Sequence, residues 1–593
     1  MTKALISNFV IFVLCILTFT LQAQKVVVDY NPRVHNIVND LPDANNKIFL
    51  PEVFPFLENT QRGIEEISIY PNWPINYEGP SFRAGIYANM DDDPDLEIIY
   101  NVRQQVHVWN IDGSEVDGWP QTVGQGNCFL YRGPAFGDID GDGEGDIVVS
   151  TGFPGTGISG WLYAFSKDGT PKDGFPFELP NGGASYGPVL ADLNEDGPLE
   201  IIVAERGNFP TGFIGVYDGS GNAYAGFPQA LDHVPASPVA VGDINGDGKP
   251  EIIAESYISV FAFDVNGSSL PGFPYNLGNG DDRVLSYSSP VLADLTGDGH
   301  REILFGDHAL SSGNGAVHIL KSDGSLLPGW PQYTSHGMYA PVAVADIDLD
   351  GELEIIVGDK YLSMSPSSKM YVWNTDGVMK DGWPSSGINS VNTQVIIANF
   401  DDDPELELVW DDNTPDGVFI GYNADGTPMG GDWPLYTAPL HTTHFCQPFI
   451  MDVDNDGYLD ISGACRDENG YCKFFLWYTD VPYDSAAVIN PVLQYNVQHT
   501  GVFPQDMSTG IEEIENDHEI LVLTDNLNRN IKVKTTENNE RILSIRVYAL
   551  NGSVVRYLEV NSRQAGINHL PLGMFVLEIV TSKGVVSKKV LFN

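Results

Sequence analysis

Short apolar runs separated by polar turns begin near residue 66 and continue to about residue 505. One unit of this pattern starts with a proline-led run, Pro188 to Ala191, which enters an acidic turn. A second run, Glu200 to Val203, leaves that turn, and a third run, such as Val106 to Trp109, ends in a turn with glycine. Short apolar runs bounded by turn residues predict β-strands. The pattern therefore indicates an all-β chain.

The acidic turn recurs eight times at a nearly constant spacing. Its first residues stand at positions 89, 138, 192, 243, 294, 346, 399 and 452, so successive starts differ by 49 to 54 residues. We number these turns acidic loops 1 to 8. One supersecondary unit repeated about every 50 residues predicts a propeller or a solenoid. A single acidic run is commonly a solvated turn, but eight in register favour a shared role.

Each acidic loop carries side-chain oxygen atoms at its positions 1, 3, 5 and 9. In acidic loop 2, Asp138, Asp140 and Asp142 alternate with spacers, Gly143 allows a sharp turn, and Asp146 closes the run. Oxygen ligands alone favour a hard cation that takes about six to eight of them, so we predict calcium. An EF-hand would place its last acid at about position 12 and put helices on both sides. These loops instead join strands.

The predicted ligands, four in each loop, allow up to eight Ca²⁺ ions. They are Asn89, Asp91, Asp93, Glu97, Asp138, Asp140, Asp142, Asp146, Asp192, Asn194, Asp196, Glu200, Asp243, Asn245, Asp247, Glu251, Asp294, Thr296, Asp298, Glu302, Asp346, Asp348, Asp350, Glu354, Asn399, Asp401, Asp403, Glu407, Asp452, Asp454, Asp456 and Asp460.

An aromatic–proline pair follows the third run of every unit except the last. The pairs are Trp119-Pro120, Phe175-Pro176, Phe227-Pro228, Phe273-Pro274, Trp330-Pro331, Trp383-Pro384 and Trp433-Pro434. An aromatic residue at such regular spacing predicts core packing between neighbouring blades rather than a ligand site. A further pair, Trp73-Pro74, precedes acidic loop 1. We infer that residues 66–75 complete the last blade and leave the ring without an exposed edge.

These repeats resemble the FG-GAP or integrin-α-type calcium propellers, in particular their secreted bacterial versions. The resemblance covers about residues 66–505 and rests on the repeated Asp-x-Asp-x-Asp-Gly loop; Asn490-Pro491 through His499-Thr500-Gly501 is also similar to the end of such domains. It implies a β-propeller; the family is often seven-bladed, but the eight acidic loops predict eight blades. Pro94 and Pro404 replace the loop glycine. Because proline cannot adopt a positive φ, we expect acidic loops 1 and 7 to bind calcium differently or weakly.

The first 23 residues have the order of a signal peptide. Lys3 precedes the apolar run Phe9 to Leu14, and Leu21-Gln22-Ala23 predicts cleavage before Gln24. Residues 24–65 have two weak strand-like runs, and we interpret them as an irregular lead-in. No later run is long enough for a membrane span. We therefore expect a protein outside the cell or on the outer-membrane surface of a Gram-negative bacterium.

The net charge of −50 restricts the partners. Such acidity argues against nucleic acid and against anionic membrane surfaces, and it favours divalent cations.

The last part of the chain follows another pattern. Residues 506–515 are predicted to be a linker, and residues 516–593 alternate apolar and polar positions as in a small immunoglobulin-like β-sandwich. The motifs Val547 to Gly552, Leu570 to Phe575 and Lys588-Lys589-Val590 resemble the C-terminal sorting domain of type IX secretion. The resemblance implies that the type IX secretion machinery is a partner. An ordinary terminal immunoglobulin-like module is the alternative.

Ligand binding is predicted at the channel mouth. Aromatic and guanidinium groups precede the first strands of several units and suit the capture of a glycan or peptide, although they could equally well just fill the channel. These residues are Tyr131, Arg132, Tyr186, Tyr287, Tyr339 and His444.

The cysteines leave more than one interpretation open. Cys465 and Cys472 flank a turn, which favours a disulfide between them over free thiols. Pairing of Cys128 with Cys446 stays open. His444 and Cys446 could hold a soft metal, but structural packing is favoured.

Nothing in the sequence requires an enzyme, because the acidic loops account for nearly all the acid pairs. We therefore expect a calcium-binding adhesion or binding module for a glycan or protein ligand. The alternative is an extracellular polysaccharide-degrading enzyme built on the same propeller.

Overall fold

The computed structural model describes residues 67–503 and 520–592, apart from 80, 82–84, 92, 124–132, 153–158, 279–281, 361–366, 402, 413, 415–416, 526–529, 536–540, 550–553, 563, 568–572 and 583–584. The predicted signal peptide, lead-in and linker lie outside these residues. The chain divides into two compact units, Met1–Tyr483 with Ile489–Phe503, and Pro504–Asn593 with Asp484–Val488. No helix within the described ranges is long and apolar enough to cross a membrane.

The first unit is an eight-bladed β-propeller, as predicted, and the main strands of every blade are antiparallel. The strands of blades 1 to 4 are Ile86–Ala88, Glu97–Val102, Gln105–Trp109 and Gln121–Thr122; Ala135–Gly137, Asp146–Ser150, Trp161–Phe165 and Phe177–Glu178; Val189–Ala191, Glu200–Arg206, Gly212–Tyr217 and Gln229–Leu231, with Gly183–Ala184 added; and Ala240–Gly242, Glu251–Glu255, Ser259–Phe263 and Tyr275–Asn276.

Blades 5 to 8 repeat this order. Their strands are Val291–Ala293, Glu302–Ala309, Gly315–Leu320 and Gln332–Thr334, with Arg283–Val284 added; Ala343–Ala345, Glu354–Gly358, Ser368–Asn374 and Ser385–Ile388; Ile396–Ala398, Glu407–Asp412, Val418–Tyr422 and Leu435–Tyr436, with Val488–Asn490 added; and Phe449–Met451, Tyr458–Arg466 and Tyr471–Pro482, which Ile67–Ile69 and Ile75–Glu78 complete.

The core of the propeller lies between neighbouring blades. Between blades 3 and 4, for example, Ile202 and Val216 of one blade share a buried cluster with Ile252 and Phe261 of the next. Both faces of a second strand are therefore covered, which explains why these strands are continuous β-branched runs rather than alternating ones. Each acidic loop joins the first strand of its blade to the second.

The two ends of the ring pair with each other, which confirms the predicted closure. Ile67 lies opposite Thr479, and Ile75 lies opposite Phe474, so the start of the described chain supplies the outer edge of blade 8. Trp73 is buried and meets Trp109 of blade 1 edge-to-face, with ring centroids 6.2 Å apart. Its indole N–H donates to the carbonyl of Ile111 at 2.6 Å.

The tryptophan–proline pairs at Trp119, Trp330 and Trp383 occupy equivalent places between blades, as predicted. The indole N–H of Trp119 donates to the carbonyl of Lys167 in blade 2, and that of Trp330 donates to Thr375 in blade 6. The glycine before Trp119 is pressed against the next blade, since a Cβ on Gly118 would lie 2.0 Å from the Asp168 carbonyl oxygen. These aromatic residues hold neighbouring blades together.

A segment from Asn490 to Phe503, the axial segment, fills the centre of the ring. Its backbone carbonyls accept from first-strand N–H groups of several blades, including Phe136 to Val497, Leu190 to Gln498 and Leu292 to Gly501. The imidazole of His499 is buried, with Nε2 2.8 Å from the Pro134 carbonyl and Nδ1 2.9 Å from the Leu493 carbonyl. The propeller therefore has a hydrogen-bonded axis rather than an open channel.

The predicted disulfide between Cys465 and Cys472 is wrong, because both are buried free thiols. In the blade 8 hairpin, Cys465 lies opposite Lys473 and Cys472 lies opposite Arg466. Side chains of consecutive strand residues point to opposite faces, so the two sulfur atoms lie on different sides of the sheet. Cys446 is a free, buried thiol as well, and Cys128 lies outside the described residues.

The second unit contains two antiparallel sheets. Ile520–Asp525, Asn530–Thr535 and Gln564–Ile567 form one; Ile542–Ala549, Val554–Ser562, Gly573–Thr581 and Val585–Phe592 form the other. Side chains from both sheets, such as Val533 and Ile545, share one buried cluster. This unit therefore has its own core.

Candidate functional site

The last acid of every acidic loop is buried at the start of a second strand. In acidic loop 5 the Glu302 side chain is 3% exposed and accepts the backbone N–H of Leu295 at 2.9 Å. Leu295, at loop position 2, is itself buried, and the other seven loops also have a buried apolar residue there. This apolar residue anchors the loop in the core, and its N–H orients the buried carboxylate.

The first residue of the loop organises the turn. In acidic loop 5 the Asp294 carboxylate accepts the N–H of Gly299 at 2.8 Å. Acidic loops 1 and 7 have a different turn because Pro94 and Pro404 have no N–H to donate; that they bind calcium differently or weakly stays a prediction. In these two loops the first residue is asparagine, and the amide groups of Asn89 and Asn399 donate instead to the carbonyls at loop position 5, at 2.7 Å and 2.6 Å.

Burial changes the acidity of these carboxyl groups. Desolvation raises the pKa of Glu302 to about 7, although the hydrogen bond from Leu295 opposes the shift. Desolvation likewise raises the pKa of Glu407 to about 9, and the negative charges of Asp401 and Asp403 add to this effect. A carboxylate buried beside other carboxylates is unfavourable unless a positive charge compensates it.

Several loops bring three carboxylates close enough to share one cation. In acidic loop 1, single oxygen atoms of Asp91, Asp93 and Glu97, at loop positions 3, 5 and 9, lie within 4.8 Å of one another; acidic loop 7 has the equivalent group, and acidic loops 2, 6 and 8 have groups at positions 1, 3 and 9. In acidic loop 7 the Glu407 Oε1 atom is buried and has no hydrogen-bond partner among the described residues. A buried oxygen atom in this situation fits a hard cation such as Ca²⁺, which these three carboxylates would hold.

Three acidic loops already contain a side chain that the sequence analysis did not predict. The ammonium groups of Lys172 and Lys380 contact the carboxylates of acidic loops 2 and 6. The hydroxyl group of Tyr70 donates to Asp454 and Asp460 in acidic loop 8, each at 2.9 Å. All three come from the connection that precedes an aromatic–proline pair, so comparing that position among the repeats could have revealed them.

A shallow depression lies on the axis at the other end of the first strands. Pro188, Pro238 and Pro341, which precede first strands, form its wall, and Leu493 and Gln494 of the axial segment line it too. A first strand begins near this depression and ends at its acidic loop. The depression and the acidic loops are therefore on opposite faces of the propeller.

Four of the predicted ligand-binding residues, Tyr186, Tyr287, Tyr339 and His444, belong to one cluster of rings, and Tyr287 of this cluster lines the depression. The ring of Tyr287 lies 6.2 Å from that of Tyr186, 6.4 Å from that of Tyr339 and 6.0 Å from that of Phe445. Tyr186 and Tyr339 are buried, and the Tyr186 hydroxyl group donates to the carbonyl of Ala236. Tyr287 is half-buried and also lines the depression, so its ring can contact a ligand.

A buried cation, also missed by the sequence analysis, supports this cluster. The ammonium group of Lys360 lies 3.0 Å from His444 Nε2, 4.4 Å from the ring centroid of Phe445 and 5.3 Å from that of Tyr339. His444 is half-buried. Cys446 instead lies in the apolar cluster at the closure of the ring, so His444 and Cys446 do not form a joint metal site. Tyr131 and Arg132 lie outside the described residues.

Comparison with known proteins agrees with the fold. The FG-GAP-like repeat family matches residues 294–357, which contain acidic loops 5 and 6. Together with the eight blades, this match supports the resemblance to FG-GAP propellers. No curated protein sequence matches the chain.

Two solved structures show a limited similarity. Rhamnogalacturonan lyase YesW has 13% identity and a TM-score of 0.41, covering 73% of this chain and 95% of that one. The V. cholerae biofilm matrix protein Bap1 has 15% identity and a TM-score of 0.35, covering 88% of this chain and 84% of that one.

Proposed function

We propose that this protein is a secreted β-propeller that is stabilised by calcium and binds an extracellular glycan at its axial depression. The observation that carries this proposal is the position of Tyr287, half-buried at the edge of the depression and packed on other aromatic rings. An aromatic ring held in this way presents a rigid apolar face with little entropic cost of ordering. Such a face suits the C–H surface of a sugar ring.

The shape of the depression favours a glycan over a folded protein. A stable protein–protein interface buries about 800 Å² on each partner, usually over about 20 to 30 residues. The depression is lined by few residues, several of them prolines and glycines, with Ser289 and Gln494 as polar neighbours, whereas the ring nitrogens of His499 already face the Leu493 and Pro134 carbonyls. A contact of this small size suits a sugar unit better than the surface of a folded protein.

The acidic loops have a structural role in this proposal. A calcium ion in a loop would hold the end of the first strand to the start of the second, and so would stabilise the blade without contacting the glycan. The C-terminal unit has the role that its resemblance implies: recognition by the type IX secretion machinery and export to the outer-membrane surface or beyond.

A glycan array with purified protein tests the proposal. We expect selective binding to a small group of glycans, and at least a tenfold loss of affinity when Tyr287→Ala removes the aromatic face. Tyr333→Ala is the matched control, because Tyr333 is 64% exposed in the outer strand of blade 5, away from the depression. Equal losses in both variants, or binding only to a parallel peptide array, would contradict the proposal.

The same purified protein tests the alternative function, a polysaccharide-degrading enzyme. If the polysaccharides that bind are also shortened, and Tyr287→Ala abolishes this turnover, the protein is a degrading enzyme rather than a binding module. Product release measured by chromatography decides between the two.

A further inference from the structure

One position in each blade is equivalent in all eight repeats. It lies three or four residues before the aromatic residue of the aromatic–proline pair. Its backbone N–H donates to a third-strand carbonyl, as Lys172 does to Ala164 and Lys380 does to Val372. We call it the bridging position. Its occupants in blades 1 to 8 are Val116, Lys172, Tyr224, Leu270, Leu327, Lys380, Met429 and Tyr70.

In blade 2 the bridging residue reaches the centre of its acidic loop. The ammonium nitrogen of Lys172 lies 2.7 Å from Asp140, 3.0 Å from Asp146 and 3.3 Å from Asp142. The Lys172 side chain is only 8% exposed. These carboxylates stand at loop positions 3, 5 and 9, which are ligand positions in the calcium prediction.

Blade 6 has the same arrangement at the corresponding positions of its own acidic loop. The ammonium nitrogen of Lys380 lies 2.6 Å from Asp348 and 2.7 Å from Glu354, again at loop positions 3 and 9, and 3.8 Å from Asp350 at position 5. The Glu354 side chain is fully buried. Two independent repeats therefore place the same cationic group among the same ligand positions.

We propose that acidic loops 2 and 6 hold a lysine ammonium group in place of a calcium ion, so that at most six loops bind calcium. Calcium needs these oxygen atoms at about 2.3–2.6 Å, and the ammonium group already occupies the space that they surround. Two positive charges in one such group would repel each other strongly. These two loops therefore do not fit calcium while the lysines remain.

The other bridging residues carry no positive charge. Five of them are aliphatic, methionine or tyrosine side chains in blades 1, 3, 4, 5 and 7, and the sixth is Tyr70, whose neutral hydroxyl group leaves the charge of acidic loop 8 uncompensated. Blades 2 and 6 are four apart in a ring of eight, so the two lysines lie on opposite sides of the axis. Each of these two loops keeps one positive charge among its carboxylates when calcium is scarce.

The number of bound calcium ions tests this inference, which rests on the calcium part of the proposed function. After equilibrium dialysis, elemental analysis should find six or fewer ions per wild-type chain. The double variant Lys172→Met, Lys380→Met should bind two more than the wild type. Methionine is a fair replacement because Met429 occupies the bridging position of blade 7.

Lys167→Met is the matched control. Lys167 pairs at 2.8 Å with Glu144, which is 66% exposed at the rim of acidic loop 2, so its loss should leave the ion count unchanged. More than six ions in the wild type, or no gain in the double variant, overturns the inference and leaves the calcium prediction intact. An absence of calcium from every form overturns both.

Hydrogen–deuterium exchange of the wild-type protein gives a second readout that does not depend on how the variants fold. Chelation should speed amide exchange in the calcium-binding loops but leave peptides covering residues 138–146 and 346–354 unchanged. Equal deprotection of those two peptides would overturn the inference.

Discussion

The two faces of the propeller are built by different means. On one face the acidic loops repeat the same buried acid, the same apolar anchor and nearly the same turn around the whole ring. On the other face, the described aromatic cluster near the axis takes one ring each from blades 3, 5, 6 and 8: Tyr186, Tyr287, Tyr339 and Phe445. The acidic loops therefore provide the scaffold around the whole ring, and this local cluster offers a place for recognition.

Removing calcium should have the largest effect, because it acts on the repeated face as a whole. A ligand at about 100 times its Kd stabilises the native state by about 2.7 kcal/mol per site. With several sites, excess chelator should lower the unfolding temperature by more than any single substitution. Calcium should restore it, and magnesium should do so poorly because it requires near-octahedral geometry. An unchanged melting curve in chelator would contradict the calcium prediction.

Protein stability should fall with rising pH because of the acids on this face, whereas acids with lowered pKa values make stability rise with pH. Burial raises the pKa of Glu97, Glu251 and Glu302 from 4.5 to about 7, and that of Glu407 to about 9. The folded protein then binds more protons than the unfolded chain, so stability falls as pH rises from about 5 to 9. In chelator, we expect the unfolding temperature to drop by several degrees over this range.

Saturating calcium is the control for this measurement. A bound cation favours the ionised carboxylates, so the drop should become small. An unfolding temperature that rises with pH in chelator would show that these acids do not govern the stability of the face.

Periodicity explains how much of this architecture could be predicted. The number of blades followed from the spacing of the acidic loops, and the closure followed from the additional pair at Trp73. Both predictions depend on motifs that recur in the repeats, the acidic loop and the aromatic–proline pair, so a single sequence shows each motif eight times. The disulfide prediction failed because it depended on the register of a single hairpin, in which Cys465 lies opposite Lys473.

The lysines and the axial segment could not be predicted in the same way. Lys172 and Lys380 matter because they differ from the other residues at the bridging position, and a search for shared features passes over them. The axial segment was recognised as the end of a domain, but its contacts join His499 to Pro134 and Gly501 to Leu292. Such distant contacts depend on the closed ring and leave no local pattern in the sequence.

The axial segment should make a smaller contribution to stability than the repeated loops do together. Replacing His499 with leucine removes the ring N–H that a neutral imidazole donates to one of the buried carbonyls of Leu493 and Pro134. We expect a loss of about 1–3 kcal/mol in the free energy of unfolding, equal with and without calcium because the loops are distant.

Chemical denaturation measures this loss, and His300→Leu is its control. His300 is exposed in acidic loop 5, so its replacement should change stability by less than about 0.5 kcal/mol. A strong calcium dependence of the His499 effect would show that the two faces are coupled.

The last prediction separates the two faces by combining one variant on each face, and the variant near the axis should have the smallest effect on stability. Glu302→Gln removes the charge of a buried loop acid. It should weaken calcium binding and lower the unfolding temperature, both measured at saturating glycan, while affinity for the glycan stays within about twofold. Tyr287→Ala should do the opposite: its ring is half-buried, and its loss should cost about 1 kcal/mol or less of stability. The double variant should show both effects without interaction, since the two sites lie at opposite ends of the blade 5 first strand. Calorimetric unfolding together with titration of the glycan selected on the array gives both quantities. If Glu302→Gln lowers affinity as much as Tyr287→Ala does, calcium and glycan binding are linked, and the face that we assign to stability takes part in recognition.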